Sequence, residues 1–277
     1  MQETSQKITD YIYQHFYDSD RSQNSCVLVR LFKTHPYGEL DDSLQASARS
    51  LMHNNFPPYE MKCWTLLASA GKEPQCNYVD EAPNIVIPLV NEELVAQMPP
   101  ISERILQLGL DIPTVLGIAD EKMLKMEPKL LNIFYIPSAQ NSQFIAEQNS
   151  LIIPYQLKSV LGIGGLLPSG SLFMVEILFN IEIPLNLAEK LNVLAVAVKT
   201  ALLPFDGEVV FNNSPNTPIV MANNKIVPRE ILEASQLIGL SHVLDFYQDE
   251  MLRHASRLQS IIGKLKEKVE ERHKQAL

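Results

Sequence analysis

Three cysteines are the side chains in this sequence best suited to redox or metal chemistry, but their spacing argues against both. Cys26, Cys63 and Cys76 lie far apart and form no CxxC pair, so neither a disulfide framework nor a structural zinc site is indicated. Iron–sulfur ligation is disfavoured because such clusters usually take four thiolates. Cys26 stands in an apolar, strand-like run, where we expect it to be buried in packing.

Catalytic motifs are likewise not found in the sequence. It contains no nucleophile elbow, HExxH motif, P-loop or close carboxylate pair on a predicted element. The run 162–165, GIGG, is only superficially like a phosphate loop, because it ends in a hairpin and does not open a helix. We therefore predict no catalytic residue and no metal ligand, and an enzyme without a recognisable motif is the least favoured hypothesis.

Composition and charge exclude two classes of partner. The net charge of −9 argues against nucleic-acid binding, because duplex affinity comes mainly from clustered Lys and Arg. No apolar run approaches the roughly 20 residues that cross a bilayer, and residues 1–20 lack the pattern of a signal peptide. The sequence thus predicts a cytoplasmic protein with no membrane and no nucleic-acid partner.

The elements that must position any site are clearest between residues 159 and 205. Two apolar runs rich in branched and aromatic residues flank a Pro-Ser-Gly turn and predict a β-hairpin, and a helix with apolar residues three or four apart follows. In the second strand, Glu176 is the one charged residue on two otherwise apolar faces. Short strands interleaved with helices elsewhere, including an N-terminal helix over 5–17, predict an α/β (α+β) fold with a central antiparallel sheet.

The strand SVLGIGG, the glycine turn, the strand LFMVEILF and the helix after them resemble the closing half of a GAF-type sensor domain. The resemblance is a pattern of apolar residues and turns and carries no catalytic signature. It implies a GAF/PAS-like sheet with flanking helices over residues 1–228. Bilin-carrying members of that family commonly attach the chromophore to a cysteine followed by histidine, which none of the three cysteines here is, so the cofactor is left unknown.

In that family the first and last strands of the sheet lie side by side at its centre. Carried onto this chain, the resemblance implies that residues 25–33 pair with residues 171–179 and that Arg30 lies near Glu176. Two interpretations stay open: a cross-strand ion pair, or a polar pair in a mostly apolar pocket for a small molecule. Tyr135 and Trp64 are further candidates for lining such a pocket.

Residues 229–277 are predicted to form one long helix with a heptad repeat. Its pattern favours a parallel two-stranded coiled coil, weakened at Gln248 and Arg272. The predicted dimer core is formed by Leu244, Met251, Ala255, Leu258, Ile262, Leu265 and Val269. The stretch resembles the signalling helices that join sensor domains to histidine kinase or cyclase outputs, which implies an output module beyond Leu277. His254 lacks the neighbours of a phosphorylated kinase histidine.

Three hypotheses of function follow. The first is the regulatory input domain of a signal-transduction protein, of the sensor histidine kinase type, which passes a ligand or redox signal through a homodimeric coiled coil. The second is a dimeric scaffold or protein-interaction module with no small ligand. The third is an enzyme. An enclosed site with a bound molecule distinguishes the first from the second, since both share the coiled coil.

Overall fold

A computed structural model describes residues 1–18, 23–53, 56–71, 86–118, 133–207, 219–222 and 225–228. Its strands are β1 (Tyr17–Asp18), β2 (Gln23–Asn24), β3 (Cys26–Pro36), β4 (Lys62–Gly71), β5 (Val86–Pro88), β6 (Ile133–Ile136), β7 (Ser159–Leu166), β8 (Leu172–Phe179), β9 (Ile219–Ala222) and β10 (Lys225–Pro228). Its α-helices are α1 (Gln2–His15), α2 (Asp42–Leu51), α3 (Glu92–Ala96), α4 (Pro99–Gln107), α5 (Ile112–Leu116), α6 (Leu185–Leu191) and α7 (Val193–Leu202).

Six of these strands form one antiparallel sheet in the spatial order β5-β4-β3-β8-β7-β6. The remaining four form two separate hairpins, β1 with β2 and β9 with β10. The predicted α+β class with a central antiparallel sheet and flanking helices is therefore confirmed. So is the predicted hairpin, whose strands are β7 and β8.

The two central strands of the sheet are β3 and β8. β3 runs antiparallel to β8, and Arg30 lies directly opposite Glu176 in the register. This confirms the predicted pairing of residues 25–33 with residues 171–179. β3 continues to Pro36, three residues beyond its predicted end, before a short 3-10 helix over Tyr37–Glu39.

Helices cover both faces of the sheet, which gives three layers. On one face α1 and α7 bury apolar residues such as Ile8, Ile12 and Leu194 against β3, β7 and β8. On the other face α4, α5 and the segment between β6 and β7 bury Ile105, Val115 and others. We call these the α1 face and the α4 face. α2 closes one end of the sheet against β5.

A bulge in β3 reverses the side-chain alternation near the start of the strand. Strict alternation places Cys26 on the same face as Arg30. In the structure two steps along β3, from Cys26 to Leu28, correspond to one step along β8. The extra residue moves Cys26 to the α1 face, while Val27 and Leu28 both pack on the α4 face.

The structure changes one further expectation and leaves others untested. The predicted single helix after the hairpin is divided at Asn192 into α6 and α7, and Asn192 itself is buried. The predicted coiled coil, the boundary at residue 228/229 and Cys76 involve residues outside the described ranges. Among the described helices, none is long and apolar enough to cross a bilayer.

Candidate functional site

Two buried ion pairs lie side by side on the α4 face, at the centre of the sheet. Arg30 of β3 contacts Glu147, from the segment between β6 and β7, and Glu176 of β8 contacts Arg104 of α4. All four side chains are at most 15% exposed. Apart from Ser69, which lies opposite Arg30 on β4, the strand residues that flank them on this face are apolar, so four charges are concentrated in a mostly hydrophobic layer.

The pair of Arg104 and Glu176 is held by several contacts. One Nη2–H of Arg104 donates to Oε1 of Glu176, and Nη1 donates to the carbonyl oxygens of Pro100 and Phe144, the latter at 3.0 Å. The guanidinium also stacks over the ring of Phe134, 4.7 Å from its centroid. Such a network fixes the position of Arg104 between the helix and the sheet.

The pair of Arg30 and Glu147 is held by a single contact. Nη1 of Arg30 donates to Oε1 of Glu147 at 3.0 Å. Nε of Arg30 is buried and has no hydrogen-bond acceptor among the described residues. Because a guanidinium has five N–H donors, a buried one with one acceptor is far from saturated. Arg30 therefore retains hydrogen-bonding capacity that the described part of the chain does not use.

The segment that carries Glu147 is irregular and covers the charged centre. It connects β6 to β7 and contains a π-helix over Gln148–Ile152, a conformation that is frequent at functional sites. The side-chain amide of Gln148 donates to the carbonyl oxygens of Ala139 and Ser142 and so stabilises the fold of the segment. Ile152 anchors it in the apolar layer. We call residues 139–157 the cover segment.

A glycine beside Glu176 makes room for the aromatic ring over Arg104. Gly162 of β7 is paired with Glu176 on one side and with Phe134 of β6 on the other. A Cβ at Gly162 would lie 3.0 Å from Cβ of Phe134 and 3.1 Å from Sδ of Met174. The absence of a side chain here lets Phe134 pack low on the sheet, where the guanidinium of Arg104 rests on it.

The structure brings together only some of the residues expected from the sequence. Arg30 and Glu176 are adjacent, but each forms its ion pair with a different residue. The interpretation of these two residues as a cross-strand ion pair is therefore wrong. Trp64 lies on the same α4 face, stacked on Phe32 with ring centroids 5.3 Å apart. Tyr135 packs on the α1 face, with its hydroxyl donating to the carbonyl of Ile183, and does not line this site.

Two central residues of the site, Arg104 and Glu147, were not predicted from the sequence. The position of Arg104 had a usable signal, because it lies three residues after Ile101 and four before Leu108 and thus on the apolar side of its helix. A charge on an apolar helix face predicts a buried partner. Glu147 stands in a polar stretch and offers no such signal.

The described thiols are poor candidates for redox chemistry. Cys26 and Cys63 are free and buried. Burial raises the pKa of the Cys26 thiol far above its usual value and that of Cys63 to about 12. Since the thiolate is the reactive form, both are expected to be inert. Within the described ranges, no group of three or more His, Cys, Asp or Glu side chains is arranged to hold a metal ion.

A second buried titratable pair lies further along β3. Lys33 and His35 are buried, and the ammonium of Lys33 donates one long hydrogen bond, 3.4 Å, to the carbonyl of Thr34. Burial lowers the pKa of Lys33 to about 8 and lowers that of His35 well below 6.5, with the charge of Lys33 adding to the effect on His35. These groups affect stability and take no part in the charged centre on the α4 face.

Comparison with known proteins assigns no relative. No family model, no curated protein and no solved structure matches this chain. The function must therefore be argued from the buried charges themselves.

Proposed function

We propose that this chain is the regulatory input domain of a signal-transduction protein, GAF-like in its fold and of the sensor histidine kinase type. The observation that carries the proposal is the unsaturated guanidinium of Arg30, buried in the apolar layer of the α4 face. A few polar groups converging within an apolar lining are typical of small-molecule sites. In this proposal the site lies between the central strands and the cover segment.

The cost of burying these charges supports a functional interpretation. Removing two ion pairs from water costs about as much as their mutual attraction returns, so such pairs contribute little net stability. Arg104 and Glu176 have compensating contacts, whereas Arg30 is left with an unpaired donor. An unpaired buried donor is destabilising in the free protein and becomes favourable once a ligand accepts from it.

The position of the site supports a route for the signal. Arg30 and Glu176 lie on the two central strands, and the opposite face of those strands packs against α1 and α7. A ligand that prefers one of two arrangements of the sheet would bias the packing of these helices and of the predicted coiled coil, residues 244–269. The output module would follow Leu277 in the full-length protein. Burial of the two described thiols, Cys26 and Cys63, favours a ligand over a redox signal at either of them.

One surface favours the alternative of a protein-interaction module. Near the end of α2, Phe56 is 85% exposed and Leu51 and Tyr59 are also largely exposed. Arg49 lies over the ring of Phe56, 5.7 Å from its centroid. Exposed aromatic and arginine side chains are enriched where proteins bind one another. A scaffold would need this surface and no ligand site.

Native mass spectrometry of the full chain, combined with a ligand screen, tests the proposal. We expect a dimer that Leu258→Asp converts to a monomer, while Ser260→Asp, at an outer heptad position, leaves it a dimer. A ligand found by thermal-shift screening should bind the wild type and Leu258→Asp with different affinities, because coupling is reciprocal. Equal affinities would contradict signalling through the coiled coil, and a screen without any ligand would favour the scaffold.

A further inference from the structure

Glu147 occupies the position that an anionic ligand of this site would take. We propose that the site binds a small molecule with an apolar body and a single carboxylate, and that this carboxylate replaces Glu147 on Arg30 while the part of the cover segment that carries Glu147 moves aside. The inference rests on the proposed sensor function and specifies its ligand class. It follows from how differently the two ion pairs are held.

The contacts of the two arginines show which pair can exchange. Arg104 is held by Glu176, by the carbonyls of Pro100 and Phe144 and by the ring of Phe134, and only the carbonyl of Phe144 belongs to the cover segment. Among the described residues, Arg30 is held by Glu147 alone. Glu147 is also the most exposed of the four side chains and lies at the start of the π-helix rather than on the sheet. The exchangeable position is therefore that of Glu147.

The charge of the site selects a monovalent anion. Arg104 and Glu176 neutralise each other, so removal of Glu147 from the centre leaves one positive charge, on Arg30. One carboxylate balances that charge, whereas a phosphate dianion would leave a negative charge buried without compensation. A carboxylate also has two oxygens and can accept from both Nε and an Nη of the guanidinium. That arrangement would satisfy the donor that Glu147 leaves unpaired.

The surroundings of Arg30 select an apolar body for the ligand. On its own strand Leu28 and Phe32 flank it on the same face, and Met174 and Leu178 do so on β8. On β4 the buried Ser69 lies directly opposite Arg30 and supplies one hydroxyl. The other side chains offer no hydrogen bonds, so a ligand rich in hydroxyl or amine groups would lose most of its hydration without compensation. The preferred ligands are hydrophobic carboxylic acids.

Fluorine NMR titrations of the full chain test the proposal with 4-fluorobenzoate as the probe and 4-fluorobenzamide as its neutral counterpart. Glu147→Gln removes the competing charge and leaves Arg30 in place. We expect it to bind 4-fluorobenzoate at least about 10-fold more tightly than the wild type, the size of one charge-assisted hydrogen bond. Binding of 4-fluorobenzamide should not change. Glu189→Gln, which removes an exposed charge on α6, should bind both probes as the wild type does.

Two further measurements make the assignment specific. The double variant Arg30→Met/Glu147→Gln should bind 4-fluorobenzoate no more tightly than the wild type does. Glu147→Gln should raise the affinity for fluorophosphate, a dianion, by a smaller factor than the affinity for 4-fluorobenzoate. Near-UV circular dichroism of each variant confirms that it is folded. The proposal is overturned if Glu147→Gln does not tighten 4-fluorobenzoate binding, if the gain survives loss of Arg30, or if fluorophosphate gains equally.

These outcomes are separable from those of the sensor proposal. A neutral ligand whose affinity depends on Leu258→Asp would uphold the sensor and refute the carboxylate. A gain of carboxylate affinity in Glu147→Gln that is the same with and without Leu258→Asp would uphold the site and refute its coupling to the coiled coil.

Discussion

Replacing Glu176 by glutamine should destabilise the fold more than the same replacement at Glu147. Glutamine keeps the shape and one oxygen acceptor but removes the charge that neutralises Arg104. Breaking one partner of a buried ion pair costs about 3–5 kcal/mol, because the other charge stays buried without compensation. Arg104 keeps two carbonyl acceptors and the ring of Phe134, so we expect the low end, about 3 kcal/mol.

Glu147→Gln provides a matched comparison within the same site. The Glu147 side chain is 15% exposed against 5% for Glu176, and it is anchored on the cover segment, which can relax. We therefore expect a smaller loss, about 1–2 kcal/mol, because glutamine still offers one oxygen acceptor to Nη1 of Arg30. The double variant Arg104→Met/Glu176→Met should be more stable than Glu176→Gln and regain most of the lost free energy of unfolding. The reason is that both charges are removed together with their desolvation cost.

Urea denaturation followed by tryptophan fluorescence measures both changes. Trp64 is the only tryptophan, is buried, and lies on the α4 face, so its emission reports on this layer. In thermal unfolding a loss of 3 kcal/mol corresponds to a fall in Tm of roughly 6–12 °C for a chain of this size. A loss below 1 kcal/mol for Glu176→Gln, or an equal loss for Glu147→Gln, would refute the ranking of the two pairs.

Three further predictions concern buried groups outside the charged centre. Because the pKa of Lys33 is about 8 in the fold and 10.5 when exposed, the free energy of unfolding should rise by up to about 3 kcal/mol between those pH values, and Lys33→Met should abolish the rise in urea titrations. His35 is buried and neutral, so the free energy of unfolding should fall below pH 6.5 by up to about 1.4 kcal/mol per pH unit. His35→Phe should flatten this acid part of the stability profile. An unchanged slope in His35→Phe would show that another group causes the fall. A Cβ at Gly164 would overlap the carbonyl oxygen of Phe173, so Gly164→Ala should lower the free energy of unfolding by about 3 kcal/mol. The control is Gly165→Ala, where a Cβ meets open space, and its free energy of unfolding should stay within about 0.5 kcal/mol of the wild type.

Local sequence patterns predicted the hairpin of β7 and β8 and one half of the site. The alternation in LFMVEILF placed Glu176 on the face opposite Phe173 and Val175, and the structure confirms it, because the period of a regular strand is two residues. The resemblance of the hairpin and helix to a known sheet implied that Arg30 and Glu176 would be neighbours, and the register confirms this too.

The sequence alone determined the hairpin of β7 and β8 and that Glu176 interrupts an apolar strand, since these depend on spacing within a few residues. Only the tertiary structure decided the partners of the charges, because Arg104 and Glu176 are 72 residues apart and Arg30 and Glu147 are 117 apart. It also decided the face of Cys26, because one inserted residue in β3 reverses the alternation before it. Contacts across such separations depend on the packing of whole layers, which local periodicity does not encode.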